Sequence, residues 1–290
     1  IIGMAMGIAM TGERCVAEIQ FCDYIFNTID LLKMAGNSLW VTNGNYPMPL
    51  VVMTPVGAGI RGSIYHSHSF DSWASRLAGW KVVMPSTPLD AYGLLLSAIK
   101  DPNPVLFLKP KALMRVKGEE LIPGEPADEK ELKAMIDAPI GDRSKWKAQW
   151  PAVQDVEIPI GKAKVTRTGE QVTVVSWGRH LLLCNEVADK LKEQGVSVEV
   201  IDLRTIYPYD WQAIKSSVQK TGRVLFVTNF GEHLVYRCVQ ELFYSLLARP
   251  QVLAGKHVPG IGLHPNLEDA SVPQKHEIES AILSILSEVP

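Results

Sequence analysis

The sequence predicts an α/β protein of two units, each built on a mostly parallel sheet flanked by helices. Two observations carry this. Short apolar runs alternate with stretches of helical length, the pattern of strands joined by crossover helices and covered on both faces. A tract rich in Pro, Gly, Glu, Asp and Lys, residues 117–147, separates two such series. The predicted organisation is a first unit over residues 1–109, a linker or insertion over 110–157, and a second unit over 158–290.

At 290 residues the chain is long enough for two cores. Hydrophobic residues make up 47% and charged residues 21%, the balance of a soluble globular protein. A formal net charge of −2 argues against a dedicated nucleic-acid binder. No apolar run reaches transmembrane length. Cys15, Cys22, Cys184 and Cys238 are scattered without a C-x-x-C spacing, so free thiols in a reducing compartment are expected.

Residues 1–10 read as a buried helix closed by Gly12, not as a signal peptide. They lack a basic start, and Thr11-Gly12-Glu13-Arg14 is no cleavage site. A sequence opening inside a buried helix is expected to have its natural start upstream. A strand is predicted near 15–19. Asp23 is expected to cap the next helix, which runs to about Ala35 before Gly36-Asn37. The polar loop 43–47 leads to a strand over 50–54. After the loop at 57–69 come a short helix from about Phe70 and a strand over 81–84. Ser86-Thr87-Pro88 signals a helix start, and that helix is predicted over 89–100. A strand over 105–108 follows. In the linker a helical turn is expected near 128–136, and Trp146 and Trp150 are expected to dock the tract on a domain. In the second unit, strands are predicted at 171–176, 197–202 and 223–228. Helices are predicted at about 180–193, 209–219, 232–247 and 274–287, with Gly195, Pro208 and Gly222 between elements.

Residues 57–69 read Gly-Ala-Gly-Ile-Arg-Gly-Ser-Ile-Tyr-His-Ser-His-Ser. They follow an apolar strand, where an α/β protein usually places its chemistry. Gly57-Ala58-Gly59-Ile60-Arg61-Gly62 fits G-x-G-x-x-G, but a dinucleotide site needs a helix to start within that motif. The glycines run on instead into Ser63-Ile64-Tyr65-His66, a β-like pattern. The loop is therefore read as the cover of a pocket, with His66 aimed into it. In an extended segment His66 and His68 share one face. Two histidines at that spacing are a weak metal signal without a third ligand. Loop histidines bonded to backbone are the plain alternative.

Four segments now carry a resemblance: 17–26 (AEIQFCDYIF), 57–69, 81–88 (KVVMPSTP) and 200–205 (VIDLRT). In order, and over nearly the whole chain, the sequence resembles the beta subunit, or beta half, of thiamine-diphosphate-dependent 2-oxo acid dehydrogenases. This is the decarboxylating component of the pyruvate and branched-chain enzymes. The resemblance implies a pyrimidine-binding, transketolase-like first domain and a transketolase C-terminal-like second domain. It also implies oxidative decarboxylation of a 2-oxo acid with acyl transfer to lipoyl groups.

For single residues, the resemblance implies that Tyr24 stacks on the pyrimidine of thiamine diphosphate and that Gln20 hydrogen-bonds nearby. A core tyrosine with a satisfied hydroxyl is the alternative for Tyr24. Glu18 is expected to be buried near the same pocket, where it needs a partner or a proton. His66 matches the histidine of the family's Tyr-His-Ser-Gln-Ser motif, which implies proton transfer around the 2-oxo acid. His68 stands where the family has Gln, and Arg76 where many relatives have His. Arg61 is expected to attract a carboxylate or orient the loop; a solvated loop arginine is the alternative. Asp101 and Asn103 match positions that relatives use for a structural potassium ion, with a polar turn as the alternative. The glutamate that bonds the pyrimidine nitrogen in the family falls immediately upstream of Ile1.

The family's Gly-Asp-Gly…Asn pattern for magnesium and the diphosphate is absent from the sequence. The resemblance assigns it to an alpha subunit or N-terminal alpha half, with the cofactor between the two parts. Further implied partners are a second copy, through the 158–290 domain, and a dihydrolipoyl acyltransferase core. The helix bearing Leu234, Val235, Val239 and Leu242 is expected to offer the dimer an apolar face. Neither nucleic acid nor membrane is implied. The implied compartment is the bacterial cytoplasm or the mitochondrial matrix. Two other classes stay open: a non-catalytic dimerisation and docking module of the same complex, and a transketolase-like thiamine-diphosphate enzyme.

Overall fold

The computed structural model describes residues 1–288. Helix α1 (Ile2–Met10) and strand β1 (Cys15–Glu18) are followed by a 3-10 stretch, Cys22–Thr28, and α2 (Ile29–Val41). Next come β2 (Leu50–Val56), two single-turn helices α3 (Ser63–His66) and α4 (Asp71–Ala74), β3 (Lys81–Val83), α5 (Pro88–Lys100) and β4 (Val105–Pro110). The linker holds α6 (Glu129–Ile136), capped by the Asp128 carboxylate. The rest runs β5 (Lys164–Arg167), β6 (Val172–Ser176), α7 (Gly178–Glu193), β7 (Val198–Asp202), β8 (Thr205–Tyr207), α8 (Trp211–Thr221), β9 (Val224–Val227), α9 (Gly231–Leu242), β10 (Gln251–Leu253), α10 (Pro265–Asp269) and α11 (Lys275–Ser287).

Two sheets form, in the orders β1-β2-β4-β3-β8 and β10-β9-β6-β7-β5. Each is parallel except for one antiparallel edge strand, β8 in the first and β5 in the second. Every residue of β6 and β7 is buried, as strands covered on both faces must be. Strand β8 belongs by sequence to the second half yet pairs with β3, through Thr205 opposite Val83. The main core is also shared: Leu106 and Met84 belong to the same cluster as Val175, Trp177 and Ile206.

Several expectations are corrected. Helix α2 does not stop at Ala35 but continues through Gly36-Asn37 to Val41. Gly36 marks a close approach: a Cβ there would lie 2.2 Å from the Ala78 carbonyl oxygen. The buried Trp80 beside it donates from Nε1 to the Leu32 carbonyl at 2.7 Å. Asp23 does not cap α2; it lies within the 3-10 stretch and accepts from the His68 backbone. Trp150 is 76% exposed and docks nothing, while Trp146 is half-buried. Leu234, Val235 and Leu242 belong to the chain's own core, so the outward face of α9 and the turn after it is Tyr236, Val239, Phe243 and Tyr244.

Helix α5 begins where its signal predicts. The Thr87 hydroxyl accepts from the Asp90 N–H at 3.1 Å, and Pro88 occupies the first turn. Thr87→Ala is expected to lower stability by about 1 kcal/mol, the usual worth of such a cap. Urea unfolding should report this as a lower midpoint at unchanged slope.

Candidate active site

Strands β1, β2 and β4 are parallel neighbours, so their carboxyl ends bring three segments to one edge of the first sheet. These are the aromatic segment after β1, the glycine loop after β2, and Lys111 after β4.

The glycine loop is tightly specified. Gly57, Gly59, Arg61 and Ser63 all have positive φ, from 53 to 114°. A Cβ on Gly59 would approach the Ala112 Cβ to 2.7 Å, so glycine is required there on both counts. The Gly57 N–H donates to the His68 carbonyl at 2.8 Å, and the Gly62 N–H to Ser67 Oγ at 2.9 Å. The Arg61 N–H donates to Glu268 Oε2 at 2.8 Å, which ties the loop to α10. Ser63-Ile64-Tyr65-His66 is not β-like: it forms the turn α3, so His66 and His68 do not share an extended face.

His66 and Tyr24 meet. The Tyr24 hydroxyl lies 3.1 Å from His66 Nε2, and the Phe21 ring centroid lies 4.1 Å from that of His66. Whichever of the two groups donates, the bond fixes the imidazole's orientation. Tyr24 is 41% exposed, so it is no core tyrosine. His68 is exposed and sits edge-on to Phe26, with centroids 5.5 Å apart. Its backbone is gripped from both sides: its N–H donates to Asp23 Oδ1 at 3.3 Å, and its carbonyl accepts from Cys22 Sγ at 3.0 Å. Burial, with Asp23 beside it, holds the Cys22 thiol far above its usual range, so it remains a protonated donor.

The other predicted residues have partners of their own or face solvent. Gln20 is exposed. Glu18 is not buried: it is exposed and pairs with Lys109. The Arg61 side chain is exposed, and its backbone makes the contact that matters. Asp101 and Asn103 form a turn beside an ion pair. One Asp101 oxygen is taken by the Lys81 ammonium, and the other accepts from Asn103 N at 2.9 Å and Nδ2 at 3.2 Å. The carboxylate's positive partner is already Lys81.

A cavity of about 410 Å³ lies between the glycine loop and the second half, lined by Ser67, His68, Asp71, Trp177, His180 and Lys256 among others. Asp71 Oδ2 accepts from Trp177 Nε1 at 3.1 Å across it. Burial, with Arg179 nearby, pushes His180 down to about 4, so it is neutral.

The chain is similar to known proteins along its length. Residues 1–117 match the family described as "Transketolase, pyrimidine binding domain", and residues 161–278 match "Transketolase, C-terminal domain". The 2-oxoisovalerate dehydrogenase subunit beta of Bacillus subtilis (strain 168) is 33% identical over 290 residues, covering 97% of this chain and 79% of that protein. The chain belongs to the 2-oxo acid dehydrogenase beta-subunit family. The pyruvate dehydrogenase E1 component subunit beta of Acholeplasma laidlawii is 37% identical over 262 residues, covering 88% of this chain and 71% of that one. Its counterpart from Rhizobium meliloti (strain 1021) is 34% identical over 290 residues, covering 98% of this chain and 56% of the relative. A solved structure described as "Split gene transketolase, inactive beta4 tetramer" aligns with TM-score 0.66 at 15% identity, covering 100% of this chain and 81% of that chain, a likeness of fold alone.

Two residues of this beta-subunit chain escape sequence reasoning. Phe21 packs on His66, and Lys111 lies 5.7 Å from the centre of the Phe21 ring. The Lys111 ammonium is buried and has no hydrogen-bond partner among the described residues, and desolvation lowers its pKa against the pull of Cys22, Asp23 and Glu268. The available signal was position: Lys111 directly follows the Pro that ends an apolar strand.

Proposed function

We propose that this beta-subunit chain supplies one half of a thiamine-diphosphate site for the oxidative decarboxylation of a 2-oxo acid, with the acyl group passed to a lipoyl arm. The observation that carries this is the Tyr24–His66 hydrogen bond at the carboxyl edge of the first sheet. It joins a half-exposed aromatic ring to an acid–base group at the edge where such sheets take ligands.

The residues fit the cofactor's pyrimidine end. Tyr24 offers a ring face, and Gln20 an exposed amide on the same edge. When bound, thiamine diphosphate supplies the electron sink that decarboxylation needs. His66, oriented by Tyr24 and packed on Phe21, moves a proton at the bound acid. Cys22 and Asp23 hold the loop in register by gripping the His68 backbone. An alpha partner supplies the groups for the diphosphate and its magnesium, a second copy pairs through the 158–290 domain, and an acyltransferase core receives the acyl group. The compartment is a bacterial cytoplasm or a mitochondrial matrix. The Tyr24–His66 pair favours this function over a non-catalytic docking module, which needs no such pair.

The test is reconstitution with an alpha subunit, magnesium and thiamine diphosphate, followed by carbon dioxide release from pyruvate and from 2-oxoisovalerate. Release from at least one acid, with acyl transfer to a lipoyl domain, is expected; release from neither overturns the proposal. The chain alone is expected to bind thiamine diphosphate no tighter than about millimolar. One stacking face and one hydrogen bond are worth only a few kcal/mol. Micromolar binding by calorimetry with the chain alone would sink the divided site.

A further inference from the structure

One aromatic ring separates Lys111 from His66, and packing alone does not account for a charge at that place. Lys111 opens the 3-10 turn Lys111–Leu113 after β4 and is 8% exposed. The turn is seated on the glycine loop, since a Cβ on Gly59 would meet the Ala112 Cβ at 2.7 Å. The ammonium has no hydrogen-bond partner among the described residues. Taking a charge out of water without one is costly, whereas a methionine would fill the same space without that cost. Natural chains break this rule chiefly where function needs it.

Two kinds of neighbour face the ammonium. The first is the Phe21 ring, whose centre lies 5.7 Å from Nζ. That is within reach of a cation–π attraction, which strengthens where water is excluded. The same ring packs edge-on with the His66 imidazole, at a centroid separation of 4.1 Å. The second kind is acidic. Desolvation lowers the ammonium's pKa, while Cys22, Asp23 and Glu268 pull the other way and favour the charged form. Both carboxylates are themselves fixed on the glycine loop. Asp23 Oδ1 accepts from the His68 N–H at 3.3 Å, and Glu268 Oε2 from the Arg61 N–H at 2.8 Å.

We propose that Lys111 is a positioning residue for His66: its ammonium anchors the Phe21 ring, and the ring sets the angle of the imidazole. The Tyr24 bond fixes only one atom of that imidazole, Nε2, and leaves the ring free to swing about it. The packed Phe21 ring removes this freedom. The ammonium is closed off from solvent, so it acts through the ring and not on a substrate. The role rests on the reading of His66 as the group that moves a proton.

One arm of the test needs neither cofactor nor activity. In the chain alone, NMR of the histidine ring protons would follow His66, its signal assigned by its loss in His66→Ala. The Phe21 ring current displaces that signal, so Phe21→Leu should move it, and Lys111→Met should move it in the same direction. In the reconstituted enzyme, Lys111→Met is expected to lower kcat about tenfold, the worth of a desolvated cation–π contact, with KM within about twofold. In a Phe21→Leu background the same substitution should cost less than about twofold, because the two side chains act as one unit. Thermal unfolding should show Lys111→Met at least as stable as the native chain, since methionine carries no desolvated charge. The proposal is overturned if the His66 signal stays in place in Lys111→Met, if kcat is unchanged while His66→Ala is inactive, if the two losses multiply in full, or if turnover falls only together with stability. Should His66→Ala keep its turnover, the reading of His66 fails by itself, and the NMR arm still decides whether Lys111 positions the ring.

Discussion

Replacing His66 with alanine in the reconstituted enzyme should depress turnover by about two to four powers of ten, the usual contribution of one acid–base group. The imidazole is half-buried, and its contacts are the Tyr24 hydroxyl and the faces of nearby aromatic rings. Nothing in the core of the first sheet rests on it. The glycine loop keeps its own ties, through Gly57 to His68, Gly62 to Ser67 and Arg61 to Glu268. Thermal unfolding of the variant should therefore move little, with a cost within about 1 kcal/mol. Turnover lost without loss of fold is the expected pair of results. Near-normal turnover would remove His66 from the mechanism.

The second large effect concerns pH and Asp202. In the folded chain Asp202 keeps its proton to about pH 7, while in the unfolded chain it loses it near the ordinary value of about 4. Between those values the folded state binds more protons, so Asp202's contribution to stability is complete below about pH 4 and is lost as pH rises through about 7. The interval of roughly three units corresponds to a loss on the order of 4 kcal/mol. His180 acts in the opposite sense. It is held down to about 4, so its contribution is complete above about pH 6.5 and falls away as pH drops toward 4. The two partly cancel in the native chain, so the informative quantity is the difference between native and Asp202→Asn. Urea midpoints at pH 5 and pH 8 should show the variant gaining on the native chain at the higher pH. A constant difference would contradict the buried, proton-holding carboxyl.

Much of the architecture is legible because its signals are local. The apolar run over 171–176 becomes β6, and Ser86-Thr87-Pro88 opens α5 through a cap that needs only three neighbouring residues. What the sequence hides depends on distant partners. Gly36 looks like a helix stop until the Trp80 turn is packed against it. Ser63-Ile64-Tyr65-His66 carries β-favouring side chains, but the Gly62–Ser67 and Gly62–His66 contacts wind it into a turn. Strands β5, β8 and β10 are edge strands too short to announce themselves.

In the candidate site, the kinds of residue are readable and their meeting is not. Tyr24 and His66 touch because β1 and β2 are neighbours, which is a fact of the sheet. Glu18, expected to be buried near the pocket, is exposed instead. Strand alternation turns Ala17 and Ile19 inward and leaves Glu18 and Gln20 facing out.

The antiparallel edge strand β8 has a consequence for how the molecule is made. As the nascent chain leaves the ribosome, β1 to β4 emerge with the outer side of β3 bare, and the segment that will cover it has yet to be translated. A bare strand edge pairs with whatever strand it meets, including that of a neighbouring nascent chain. The gene therefore cannot be divided at the linker without cost. A first half produced by itself would carry that edge permanently, and the second half would carry Thr205–Tyr207 with no sheet to join.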